Sequence, residues 1–186
     1  MTRCTGTAES QLVDQAKRGD VDAFEALVVL HQRAATRLAA VIAGPADAED
    51  IAQEAFVKAY HALGRFDEGA PFRPWMMRIV ANEARNHVRA AGRRARLSLR
   101  IDTREQDHVT PEDLALGRDR RAALLRALDA LPERDRLVLA CRFLLEFSEA
   151  ETAAVLDCPA GTVKSRTSRA LHRLRTQFEP TGARDG

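Results

Sequence analysis

Residues 148–175 read SEAETAAVLDCPAGTVKSRTSRALHRLR, and this stretch predicts two short helices joined by a tight turn, the second of them cationic. Ser148 can cap the first helix while Glu151, three residues on, reaches back to the cap amide. Ala153, Ala154, Val155 and Leu156 supply its apolar side. Asp157, Cys158, Pro159 and Ala160 then interrupt it, because proline lacks the amide a continuing helix needs and pushes its predecessor out of helical geometry. In the second helix Val163, Thr167, Ala170, Leu171 and Leu174 recur at helical spacing as one buried stripe. Its other face carries Lys164, Ser165, Arg166, Ser168, Arg169, His172 and Arg173, a mixture of phosphate-binding cations and short hydrogen-bonding side chains. A helix about 10–12 Å across fits the major groove, where base edges differ in donor and acceptor pattern. The plainer reading, a solvated amphipathic helix, explains the basic face but not its position behind a capped helix and a turn in helix-turn-helix order.

Leu114 to Phe178 reads as one small helical block. A helix bearing Leu124, Leu125, Leu128 and Leu131 stops at Pro132, and Arg134 to Leu145 forms a strongly apolar helix behind the helix-turn-helix. Upstream, from about Ala95 to Glu112, the apolar period fades into a mixed-charge connector of the kind that is normally flexible. A second block runs from about Ser10 to Arg94. Leu12, Val13 and Ala16 open a helix ending near Gly19. Ala23, Phe24, Leu27, Val28 and Leu30 begin a longer one, stopped by Gly44 and Pro45. Asp47 offers an N-cap for the next, whose stripe runs from Ile51 to Leu63. The breaker-rich loop GRFDEGAPFRP (Gly64 to Pro74) precedes a last helix ending at Gly92. The expected architecture is all-α, two small helical domains joined by a flexible linker. The expected boundaries are a disordered N-terminus over 1–9, a first domain over 10–94, a linker over 95–113, a second domain over 114–178 and a disordered tail over 179–186.

On PWMMRIVANEARNHVRA, a turn of about 100° per residue puts Arg78, Asn82, Arg85 and Arg89 along one line. Phe72, Arg73 and Trp75 border it. Arginines neutralise phosphates, and an aromatic face stabilises an unstacked base by about 1–3 kcal/mol. That combination suits DNA strands held apart. The same residues admit a second reading, with Trp75 and Ile79 as plain core and Arg85 paired with a nearby carboxylate.

Bulk numbers restrict the alternatives. The 186 residues carry a formal net charge of only +2, so charge distribution rather than total charge points to nucleic acid. Arginines gather from Arg73 to Arg96, whereas acids gather from Asp47 to Glu54 and from Asp102 to Asp113. No apolar run approaches the roughly 20 residues that span a bilayer, and the N-terminus lacks a signal-peptide segment. A cytoplasmic protein without membrane insertion is expected. The three cysteines, Cys4, Cys141 and Cys158, lie outside any CxxC or Cys/His spacing, so reduced thiols, no metal and no cofactor are expected. The five histidines, His87 and His172 among them, are scattered, and no nucleophile or acid–base constellation marks an enzyme.

With both blocks read, the chain resembles the bacterial sigma factors of the extracytoplasmic-function group, which keep two domains, sigma-2 and sigma-4, joined by a linker. DAEDIAQEAFVKAYHALGRF (Asp47 to Phe66) resembles the segment by which sigma-2 docks on the polymerase clamp. FRPWMMRIVANEARNHVRAAGRR (Phe72 to Arg94) resembles the strand-opening, minus-ten-reading segment, and Ala130 to Arg175 resembles sigma-4. The resemblance implies that Asp50, Gln53 and Glu54 face the clamp. It implies that Phe66 and Asp67, in the loop running to Pro71, help form a pocket for a flipped base, and that Phe72, Arg73, Trp75, Arg78, Asn82, Arg85 and Arg89 serve minus-ten binding and melting. Lys164, Ser165, Arg166, Ser168, Arg169 and Arg173 would contact the minus-thirty-five duplex. The implied partners are RNA polymerase core (clamp, and flap through sigma-4), promoter DNA and an anti-sigma protein, with the free chain a monomer. Two departures stand out: Thr167 occupies a place where a larger aliphatic is usual, and Glu149 to Thr152 reads EAET where an isoleucine commonly precedes the alanine. Competing readings are a stand-alone helix-turn-helix regulator and a sigma-like decoy for an anti-sigma protein.

Overall fold

The computed structural model describes residues 4–67, 69–98, 124, 126–128 and 130–178, and no strand occurs among them. Among the described residues these α-helices have defined bounds: α1 (Cys4–Lys17), α2 (Val21–Ala43), α3 (Ala48–Ala62), α4 (Phe72–Ser98), α5 (Glu133–Leu139), α6 (Glu149–Leu156) and α7 (Ala160–Phe178); residues 124 and 126–128 are also helical. A 3-10 turn, Leu63–Arg65, follows α3, and a π-helical stretch, Ala140–Leu144, continues α5.

Helices α1 to α4 form the first bundle. Asp20 caps α2, its Oδ1 accepting a 3.1 Å hydrogen bond from the Ala23 amide, while Gly19 takes the positive φ of 95° that ends the preceding turn. Leu27, Leu38, Ala55, Met76, Met77 and Val80 are fully enclosed at the centre. Lys58 on α3 donates to Glu83 on α4. That bond, more than the opposing cost of burial, raises the Lys58 pKa above its ordinary value. A lysine raised in this way favours the fold below its unfolded pKa and loses the contribution only as pH rises past the folded one, so the α3–α4 tie holds throughout the neutral range.

The second bundle is the helix-turn-helix read from sequence, packed on α5. The capping box is complete, with Glu151 N donating to Ser148 Oγ at 3.2 Å and Ser148 N to Glu151 Oε2 at 2.8 Å. Asp157 ends α6 in the left-handed region at φ 50°. Val138, Leu139, Val163 and Ala170 form the core of this bundle, with Leu171 and Leu174 half-buried beside it. Thr167, the departure noted above, turns its hydroxyl back to the Val163 carbonyl at 2.8 Å, which satisfies it without the larger aliphatic.

Several expectations are corrected. The N-terminal helix begins at Cys4 rather than near Ser10. Asp47 makes no side-chain cap; its carboxylate lies 3.3 Å from His87 Nε2, and only its carbonyl receives the helix amide of Ile51. Helix α4 passes through Gly92 to Ser98, since glycine is tolerated within a helix at a cost of about 1 kcal/mol. Helix α2 is long and apolar enough to cross a bilayer by length and composition. Glu25, Arg33 and Arg37 interrupt it, and its inner face, including Leu27, Ala35, Leu38 and Ile42, packs in the core. Residues 99–123 and 179–186, with most of the expected linker and the tail, lie outside the described residues.

The two bundles do not stand apart. Leu137, Ala140, Cys141, Leu145, Phe147 and Val155 of the second bundle belong to the same continuous apolar core as α2, α3 and α4 of the first, and α6 packs along α4. The expectation that each domain keeps a core of its own is thereby corrected, with Phe147, 1% exposed, among the residues that join the two, since burying an aromatic ring between the bundles removes apolar surface from water.

Candidate nucleic-acid and polymerase interface

Three surfaces carry the predicted residues. On α3, Asp50, Gln53 and Glu54 are all exposed, on the face opposite Ile51, Ala55 and Phe56. Val57 follows them on the same exposed face and is 52% exposed. The patch therefore mixes two carboxylates, an amide and an unpartnered aliphatic. Val57 carries no signal in the sequence, because a valine in a helix is ordinarily core. The Glu54–Lys58 pair at 3.6 Å belongs to the solvated face and contributes a few tenths of a kcal/mol.

On α4, Asn82 and Arg89 are exposed and Arg78 and Arg85 are half-buried. Arg85 has the partner that the plainer reading allowed. Its Nε donates to Glu133 Oε1 of the second bundle at 3.0 Å, and an NH group reaches Asn82 Oδ1 at 3.4 Å. Arg73 is likewise engaged across the interface, with its guanidinium 4.8 Å from the ring centre of Phe147. Phe66 and Phe72 are buried and close an aromatic cluster with Trp75, at ring separations of 4.9 to 5.7 Å. Of the three rings, Trp75 alone is partly open. Phe66 and Phe72 act as the floor that sets its position, and neither offers a free face for stacking in this conformation. Asp67 shapes the following loop, its Oδ1 accepting from Gly69 N at 3.0 Å. Against this loop lies a small cavity of about 190 Å³, walled by Phe66, Ala70 and Pro71 and by Glu9, Ser10 and Asp14 of α1. The α1 residues have no motif and were not legible in the sequence.

On α7, Lys164, Ser165, Ser168 and Arg169 are exposed and Arg166 is half-buried. Arg169 lies along the helix, its Nε 3.2 Å from the Ser165 carbonyl. Arg173 differs from the others because it pairs with Asp135, a buried carboxylate on α5. It ties the recognition helix to its support while its side chain stays half exposed.

Cys141 sits at the junction of the two bundles, fully enclosed. Burial pushes its thiol up to about 12, and nearby Arg85 lowers it by a smaller amount. The neutral thiol is thus favoured by the fold; this contribution is present below the unfolded thiol pKa of about 8.5 and fades as pH climbs toward the folded value. At pH 8, iodoacetamide should label the half-buried Cys158 and leave Cys141 untouched until denaturant is added, as read by peptide mass spectrometry. Comparable labelling of both would mean that the junction opens freely.

The fold and these surfaces define a helical protein of two domains, one a helix-turn-helix with exposed cations on its second helix and the other with arginines and a partly open tryptophan along one helix face. Residues 27–94 match the family model described as Sigma-70 region 2, and residues 121–174 match Sigma-70, region 4. The chain is 36% identical over 179 residues to the ECF RNA polymerase sigma-E factor of Escherichia coli (strain K12), covering 91% of this chain and 93% of that protein. It is 36% identical over 186 residues to the RNA polymerase sigma-H factor of Pseudomonas aeruginosa, covering 95% and 96%. Among solved structures it is similar to CnrH in complex with the cytosolic domain of CnrY, with TM-score 0.71, 30% identity and coverage of 94% and 99%. It is also similar to the sigma factor RpoE in complex with the anti-sigma factor NepR from Bartonella quintana, with TM-score 0.68, 27% identity and coverage of 86% and 98%. This chain belongs to the extracytoplasmic-function group of sigma-70 factors, and it serves promoter-directed transcription initiation.

Proposed function

We propose that each surface described above has one task in initiation. The α3 patch of Asp50, Gln53, Glu54 and Val57 docks on the polymerase clamp. The α4 line of Arg78, Asn82, Arg85 and Arg89, with Trp75, holds the melted minus-ten strand, and the cavity beside Phe66 to Pro71 receives a flipped base. Lys164, Ser165, Arg166, Ser168 and Arg169 contact the minus-thirty-five duplex. The chain acts in the cytoplasm and catalyses nothing itself; binding to single strands offsets the lost base-pair stacks. An anti-sigma protein is a further partner, in line with the complexes of its structural relatives. The domains run over 10–94 and 114–178, with the helical residues 4–9 added to the first.

The observation that carries this reading is that an exposed cationic face on the second helix of a helix-turn-helix and a line of arginines beside a partly open Trp75 occur in one chain. Those faces meet each other in the packed form, with Arg85 already bound to Glu133. Use on DNA therefore requires the second domain to swing away. Docking on core polymerase fixes the separation of the two modules and supplies the avidity that the free chain lacks.

The test is run-off transcription with purified core. Arg78→Ala combined with Asn82→Ala should reduce open-complex formation by about tenfold or more while core binding, measured by native gel shift, stays near normal. Loss of core binding would instead make these residues structural. Absence of transcription with the unaltered chain on every promoter of a genomic library would overturn the reading.

A further inference from the structure

Packing of the second domain on the first leaves a half-open cleft of about 660 Å³ between α4 and the helix-turn-helix. Its walls bring together four guanidinium groups, Arg85 and Arg89 from α4 with Arg134 and Arg166 from the second domain, against the two carboxylates of Glu133 and Asp157. Glu133 is spent on Arg85. Among the described residues no carboxylate pairs with Arg89, Arg134 or Arg166. Cationic residues from both sides of one interface thus line a single half-open cleft, with Arg89 and Arg134 exposed and Arg166 half-buried, and their mutual repulsion, partly screened by solvent, opposes the closed form. An anion seated between them would turn that repulsion into attraction from both domains.

The chemistry of the walls narrows the guest. Guanidinium forks engage phosphate oxygens in bidentate fashion, and Asn86 adds an amide that can donate. Apart from Leu156 and Cys158 the lining is polar or charged, so there is no apolar trough for an amphipathic peptide helix. The volume lies within the range of small-molecule sites, about 300–1,000 Å³.

We propose that this cleft is a binding site for a small, multiply charged phosphate-bearing anion, held between Arg89 of the first domain and Arg134 and Arg166 of the second. Occupancy stabilises the closed form and withholds Arg85, Arg89 and Arg166 from promoter DNA. This second half rests on the DNA roles proposed above; binding and closure do not.

The experiment uses the full chain and inorganic tripolyphosphate, with sodium chloride adjusted to hold ionic strength constant. Tripolyphosphate should give a saturable binding isotherm by calorimetry, a rise of several degrees in Tm at about 100-fold above Kd, and no increase in the radius from small-angle scattering. Arg134 is outside the residues assigned to DNA or polymerase. Arg134→Ala should weaken tripolyphosphate binding by about tenfold or more while run-off transcription remains at the unaltered level. An equal Tm rise with chloride alone at matched ionic strength, or unchanged affinity in Arg134→Ala, would overturn the site. A short single-stranded minus-ten oligonucleotide supplies the other source of phosphate and should expand the chain and compete with tripolyphosphate. If the oligonucleotide instead bound more tightly with the chain still compact, the guest would be nucleic acid and the small-anion assignment would fall. Tripolyphosphate binding that persists in a chain inactive in run-off transcription would leave the cleft standing and overturn only the initiation roles.

Discussion

Phe147→Ala is expected to be the most damaging single substitution at the domain junction, lowering stability by about 3–5 kcal/mol. The ring is 1% exposed and belongs to the core shared by both bundles. Its loss leaves a cavity that neighbours anchored on different domains cannot collapse to fill. The Arg73 guanidinium, 4.8 Å from the ring centre, loses a cation–π partner worth about 0.5–2 kcal/mol. For a chain of this length each kcal/mol shifts Tm by roughly 2–4 °C, so thermal unfolding followed by far-ultraviolet circular dichroism should fall by about 10 °C. Phe147 also closes the loop before α6, where its amide bonds the Cys141 carbonyl at 2.9 Å. That backbone bond survives the substitution, so the helix-turn-helix should remain folded while its hold on α4 loosens. A drop of less than about 1 kcal/mol would show that the shared core does not depend on this ring.

The second large effect falls on DNA. Lys164→Ala with Arg169→Ala removes two exposed cations from the outer face of α7. Removing one phosphate-binding cation should lower the salt dependence of binding by about one unit of slope, so the double variant should show a slope shallower by about two. Its affinity for the upstream promoter element should fall by roughly 10- to 100-fold, measured by fluorescence anisotropy of the holoenzyme on a labelled duplex at several salt concentrations. Arg173→Ala provides the contrast. Its charge is committed to buried Asp135, so the expected result is a loss of stability of about 1 kcal/mol, limited by solvent around the half-exposed guanidinium, with the salt slope nearly unchanged. A slope shallower by about one unit in Arg173→Ala would return Arg173 to the DNA-binding set.

The three arginines Arg85, Arg166 and Arg173 show where legibility ended. All three lie on exposed-looking helical faces and read alike in one dimension. What separates them is a carboxylate distant in sequence: Glu133 stands 48 positions from Arg85, and Asp135 stands 38 positions from Arg173. Helical period places a side chain on a face but says nothing of which other element covers that face. The aromatic residues divide in the same way. Trp75 is open to both readings in the sequence and remains partly open in the fold, whereas Phe66 and Phe72 turn inward because the loop between α3 and α4 folds back over α1.

Local features were legible in the chain alone. They include the capping box at Ser148 and Glu151, the break at Asp157 to Pro159, the cationic face of α7, the exposed acids of α3 and the all-helical, two-block plan. These depend on neighbours within one or two turns, whose spacing is written directly in the chain. Packing between distant segments set the rest: the blocks share a core through Phe147 and Cys141, Arg73 and Arg85 are occupied, and four arginines line one cleft. Those outcomes follow from burying apolar surface between segments distant in the chain, and non-directional burial of that kind leaves no periodic trace in either segment.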